Sequence, residues 1–162
     1  MAKPAKGIPK GFHTITPSLI VKGADKAIEF YKKAFGAEET KRMPGPDGKS
    51  IMHAELKIGD SFFFLADEFP SMGALSPQSI GGTPCTMNLY VTDVDAVFKR
   101  AVDAGARVRM PVADMFWGDR YGSVVDPFGH SWGIDTPKEE LTPDEMQQRA
   151  RQFFAQMGGQ KH

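Results

Sequence analysis

The chain has 162 residues, 41% of them apolar and 25% charged, with 20 Lys+Arg set against 20 Asp+Glu. These values suit one soluble domain with a real core. There is no basic excess for nucleic-acid phosphates, and no apolar run approaches the roughly 20 residues that cross a bilayer. Neither a nucleic acid nor a membrane is therefore expected as a partner.

Met1 to Gly11 is basic, rich in Pro and Gly, and lacks the apolar stretch of a signal peptide, so it reads as a flexible arm. A strand is expected over Ile15 to Val21. A helix follows over 24–35: Ala24, Ala27, Ile28, Tyr31 and Phe35 share one face, and Gly36 stands where a left-handed cap is wanted. Glu38 to Met43, Ile51 to Ile58 and Ser61 to Ala66 read as strands. Pro44-Gly45-Pro46-Asp47-Gly48 and Gly59-Asp60 turn between them. Asp67 to Thr83 is a polar, Gly/Pro-rich linker with little sign of regular structure. Thr86 to Val91 is a strand and 94–104 a helix stopped by Gly105. Arg107 to Val112, Tyr121 to Asp126 and Ser131 to Asp135 complete the strands. Thr142, Pro143 and Glu145 form a capping box that opens a last helix over 142–157. Phe153, Phe154 and Met157 make its later turns apolar, fit to pack on the domain or on a partner subunit.

The chain repeats itself. Leu19-Ile20-Val21 followed by Asp25 recurs as Leu89-Tyr90-Val91 followed by Asp95, an offset of 70. Ala34-Phe35-Gly36-Ala37 recurs as Asp103-Ala104-Gly105-Ala106, an offset of 69. The expected fold class is α+β: two tandem βαβββ modules, about 12–68 and 84–137, joined by a linker of about 69–83 and followed by the helix. Cys85 is the only cysteine, so no disulfide can form within the chain, and a cytoplasmic location is the simplest inference.

Strand alternation puts His53 and Glu55 on one face, at i and i+2. Such a pair can shuttle a proton or hold a metal, or can simply make cross-strand polar contacts on a half-solvated sheet. His130 shares a side with Trp132 and Ile134, which favours a structural role, and His13 precedes the first strand.

Several motifs together resemble the vicinal-oxygen-chelate (glyoxalase / bleomycin-resistance / dioxygenase) superfamily and its PhnB-like branch. They are Leu19-Ile20-Val21 with Ala27-Ile28-Glu29-Phe30-Tyr31, His53-Ala54-Glu55-Leu56, Trp117-Gly118-Asp119-Arg120-Tyr121-Gly122, and Asp126-Pro127-Phe128-Gly129-His130. The resemblance implies that the two modules form curved mixed sheets enclosing a cleft, commonly in a homodimer. It also implies four metal-ligand positions, one on the first and one on the last strand of each module. These fall on Thr16, near Leu65, on Thr86 and on Gly133. None is a usual donor, so no metal or other cofactor is expected.

The cleft implied by the resemblance would be faced by the polar residues Thr16, Ser18, His53, Glu55, Thr86, Asn88 and Ser131, with Phe63 and Tyr90 lining it as well. In the loop Met115 to Tyr121, Trp117 could stack on a planar ligand and Arg120 could bind an anionic one. An internal turn packing Trp117 on the sheet is the alternative. The resulting expectation is a small-molecule binder without the usual metal, taking a planar or anionic compound. The alternatives are a metal-dependent lyase or dioxygenase using shifted ligands such as His53 and Glu55, or a non-catalytic dimerisation or regulatory module.

Overall fold

The computed structural model describes residues 7–158. Its elements are β1 (Ser18–Val21), α1 (Ala24–Phe35), β2 (Glu38–Pro44), β3 (Ile51–Ile58), β4 (Ser61–Asp67), a short α2 (Pro77–Ile80), β5 (Thr86–Tyr90), α3 (Val94–Asp103), β6 (Arg107–Asp114), β7 (Asp119–Val125), β8 (Ser131–Pro137) and α4 (Pro143–Gly158). They make two open four-stranded sheets, ordered β1-β4-β3-β2 and β5-β8-β7-β6. In each, the first strand runs parallel to the last and the other pairs are antiparallel. The repeated βαβββ pattern is therefore two copies of one topology.

The copies also share their helix caps. Asp67, at the end of β4, accepts hydrogen bonds from the Gly23 and Ala24 amides at 2.9 and 2.8 Å, and from the Ile51 amide at 2.8 Å. Thr136, 69 residues later, accepts one from the Val94 amide at 2.9 Å. Each last strand thus satisfies the orphan donors at the start of its own module's helix.

Alternating residues of each sheet turn inward under the helices. Leu19, Val21, Ala54, Leu56, Phe63 and Leu65 are buried with α1, and Trp132, Ile134 and Val124 line the other half of the core. The modules meet through α1 and α3 and through three polar links. Tyr31 donates to Asp126 at 2.7 Å, Arg100 donates to the Ala34 carbonyl at 2.9 Å, and His130 Nε2 lies 2.9 Å from the Ile20 carbonyl. His130 is thus tied into the boundary between modules.

Four local expectations change. β1 begins at Ser18, not Ile15, because Pro17 has no amide for a sheet ladder. The linker holds a turn of 3₁₀ helix over Pro70–Met72 and the short α2, with the Ser79 amide bonded to Ser76 Oγ at the α2 N-cap. β7 starts at Asp119 and so takes in Arg120. Residues 7–11 of the expected arm turn over sheet one, where Phe12 stacks on Phe62 at 4.2 Å between ring centroids; residues 1–6 lie outside the described residues. α4 packs on its own chain: Phe153 and Phe154 meet Phe116 at 5.0 and 6.0 Å. No helix among the described residues is long and apolar enough to cross a membrane.

Candidate functional site

Each sheet has one face turned away from the helices, and these two faces carry most of the polar strand residues. On module one, strand register aligns Ser18, Phe64, Glu55 and Lys41 in one row across the sheet. His53 lies on the same face, its ring 4.8 Å from that of Phe64 and its Nε2 3.5 Å from Glu55 Oε1. Lys41 Nζ stands 3.4 Å from the same carboxylate oxygen. Glu55 therefore sits between two cationic groups whenever His53 is protonated. The segment before β1 covers part of this face, leaving a cavity of about 690 Å³ bordered by Phe12, His13, Thr16, Lys41, Glu55 and Phe64.

On module two, Thr86, Asn88 and Tyr90 pair with Ser131, Gly133 and Asp135, and the last two of these pair with Ser123 and Tyr121 on β7. Asp135 is only 5% exposed, and its carboxyl titrates above the usual range, first because burial disfavours its charge and then because Asp119 repels it.

A second large cavity, of about 680 Å³, opens between the β3–β4 hairpin of module one and the free edge of β5. Asn88, Tyr90, Phe62, Phe63, Trp132 and His13 are among its walls.

The expected site residues are thus divided. Phe63, Asn88 and Tyr90 border the inter-module cavity, and Thr16 and Glu55 border the other. Ser18, His53 and Thr86 lie on the helix-free faces outside both. Phe63 does not face the open side of its sheet: it is 4% exposed, packed on Tyr31 and Trp132, and reaches the cavity from the core. Its neighbours Phe62 and Phe64 take the opposite face. Trp117 packs on Phe116 at 5.1 Å and on Tyr121 at 5.9 Å. Arg120 is engaged within the chain. Its guanidinium donates to both Asp95 oxygens at 2.7 and 2.9 Å and to Asp114 at 3.0 Å, tying the start of α3 to β7. His13, Lys41 and Asp135 belong near these surfaces although the sequence did not single them out. Strand alternation could have found Lys41 and Asp135, but nothing local marks His13.

Residues 11–134 match the family model described as the Glyoxalase/Bleomycin resistance protein/Dioxygenase superfamily. The chain belongs to this superfamily. A relative in Mycobacterium tuberculosis, itself uncharacterized, is 50% identical over 136 residues, 82% of this chain and 79% of its own length. The solved structure of an Arabidopsis thaliana gene product is 31% identical with a TM-score of 0.61, covering 76% of this chain and 98% of its own. A PhnB protein from Bacillus cereus shares the fold at 19% identity and a TM-score of 0.59, over 76% of this chain and 99% of its own.

The superfamily's metal positions can now be placed by register. Ser18 pairs with Phe64 as Asn88 pairs with Gly133, so the counterpart of Gly133 in module one is Phe64 and not Leu65, which is fully buried under α1. The four positions read Thr16, Phe64, Thr86 and Gly133. Two hydroxyls, a phenyl ring and a glycine do not make the carboxylate and imidazole set a divalent ion needs. Gly133 is moreover overlain by the Asn88 side chain and the Tyr121 ring. The residues present do not fit the superfamily's metal at these positions.

Proposed function

We propose that this chain is a metal-independent small-molecule-binding protein of the glyoxalase/bleomycin-resistance type, acting as a cytoplasmic homodimer and holding its ligand in the inter-module cavity. The make-up of that cavity carries the reading. It is about 680 Å³ in volume, walled by Phe62, Phe63, Tyr90 and Trp132, with His13, Asp60, Ser61 and Asn88 among its polar lining. Aromatic walls with a few orienting polar groups suit a planar organic compound. Anion binding at Arg120 is the weaker part of the reading, because that guanidinium already pairs with Asp95 and Asp114. Dimerisation is supported by the free edge of β5, where Tyr90 is 72% exposed beside the cavity mouth.

A lyase or dioxygenase with shifted ligands would have to start from His53 and Glu55, 3.5 Å apart. No third His, Cys, Asp or Glu among the described residues joins them. The deciding experiment purifies the protein without chelator, measures bound divalent metals, and then screens planar aromatic compounds by thermal shift. The expected outcome is substoichiometric metal and a ligand-dependent shift that Asn88→Ala and Tyr90→Ala diminish. Stoichiometric metal that disappears in His53→Ala would overturn the reading.

A further inference from the structure

Three arginines are neutralised by ion pairs: Arg42 with Asp25, Arg120 with Asp95 and Arg149 with Glu139. Arg100 binds the Ala34 carbonyl. Arg107 and Arg109 differ. Neither has an ion pair among the described residues, yet both border one concavity of about 360 Å³, together with Thr83, Ser131 and the backbone at Gly82 and Gly129.

The convergence has a structural cause. Arg107 pairs with Val125, Val108 with Val124, and Met110 with Ser123, so Arg109 is the extra residue of a bulge in β6. Bulges re-aim side chains. This one sends Arg109 across β7 to Ser131 on β8, where Nη1 donates to Oγ at 3.3 Å. Ser131 Oγ accepts that bond and keeps its own proton to donate. Thr83 Oγ1 likewise accepts from the Cys85 amide at 3.2 Å and keeps its proton. Two guanidinium groups and two donor hydroxyls thus surround one hollow, with no carboxylate to balance them.

The geometry points to a second binding site here, for the phosphate group of a small molecule. Two like charges facing one hollow repel, and an oxyanion between them relieves the repulsion. Guanidinium forks match phosphate oxygens bidentately. Two forks and two hydroxyls offer more donors than the two oxygens of a carboxylate can use, and suit the three oxygens of a phosphate. The hollow shares no lining residue with either larger cavity. The inference therefore stands apart from the planar-ligand reading and is tested without it.

The test is calorimetric titration with inorganic phosphate at ionic strength held constant with sodium chloride, with glycerol phosphate as a second arm. A saturable one-to-one heat is expected. Arg107→Gln combined with Arg109→Gln should weaken binding by roughly tenfold or more, the loss of charge-assisted bonds, while Arg151→Gln leaves it unchanged. Arg107→Gln alone, at an exposed side chain with no hydrogen bond to lose, guards against misfolding of the double variant and should also weaken binding. Tighter binding of glycerol phosphate would place the phosphate on an organic ligand, and tighter binding of inorganic phosphate would make the free ion the ligand. Absence of a saturable heat, or equal affinity in the wild type and the double variant, overturns the proposal.

Discussion

Tyr31 of α1 donates a 2.7 Å hydrogen bond to Asp126, which belongs to the other module. The same carboxylate accepts from Trp132 Nε1 at 2.8 Å and from the Phe128 and His130 amides at 2.9 Å each. Burial and the adjacent Asp126 charge hold the Tyr31 hydroxyl in its neutral form far above its usual range. One buried carboxylate therefore fixes the turn before β8 and fastens that turn to α1.

Tyr31→Phe should cost about 1.5–3 kcal/mol, the range for a lost hydrogen bond to a charged group. Urea unfolding measures it. A loss of a few tenths of a kcal/mol would mean that Asp126 is served well enough by its three remaining donors.

Gly122→Ala should destabilise by about 1–3 kcal/mol through overpacking. A methyl group there would lie 2.8 Å from Val112 Cγ2 and 2.9 Å from the Phe98 ring. The close approach of α3 to β7 depends on that missing side chain. Phe98→Leu in the same chain should recover part of the loss, which a double-mutant comparison reads directly.

Asp135→Asn should raise the unfolding temperature at neutral pH by roughly a few degrees. The folded-state pKa of Asp135 is raised above its ordinary 3.8 by burial and then by Asp119. Its contribution to stability is therefore full below that ordinary value and is lost as pH rises through the folded value. The advantage of Asn over Asp should grow with pH across that window and level off above it. Melting curves from pH 3 to pH 8 test the sign; an advantage that shrinks on raising the pH would refute it.

Arg120→Ala should lower the urea midpoint of unfolding only slightly, because its carboxylate partners Asp95 and Asp114 are exposed and solvent screens the pairs. It should leave any thermal shift by planar compounds as it was, because the side chain faces Asp95 and Asp114. A ligand shift abolished by this change would return Arg120 to the binding set.

Much of the fold was legible because the two halves repeat. The offset of 69 that aligns the glycines after the helices also aligns Asp67 with Thr136, the two residues that cap them. The site was less legible, for two physical reasons. In β4, Phe62-Phe63-Phe64-Leu65 is an unbroken apolar run, so nothing in it tells the core face from the open one. One step of parity exchanges Phe63 for Phe62 and Phe64, and Leu65 for Phe64. In β7 the strand begins at Asp119, two residues earlier than Tyr121, which moves Arg120 from a loop to a position beside α3. Contacts by the segment before β1 carry no periodic signal at all, and only the folded chain brings His13 to the cavities.

The stacking of Phe12 on Phe62 makes the segment before β1 an intramolecular competitor. A ring tethered by a few residues acts at an effective concentration of about millimolar or higher. A planar compound that seeks the same face of Phe62 must displace it, so its apparent affinity falls short of its intrinsic one. A compound held in the inter-module cavity, whose walls do not include Phe12, meets this competitor only where it reaches that face of Phe62.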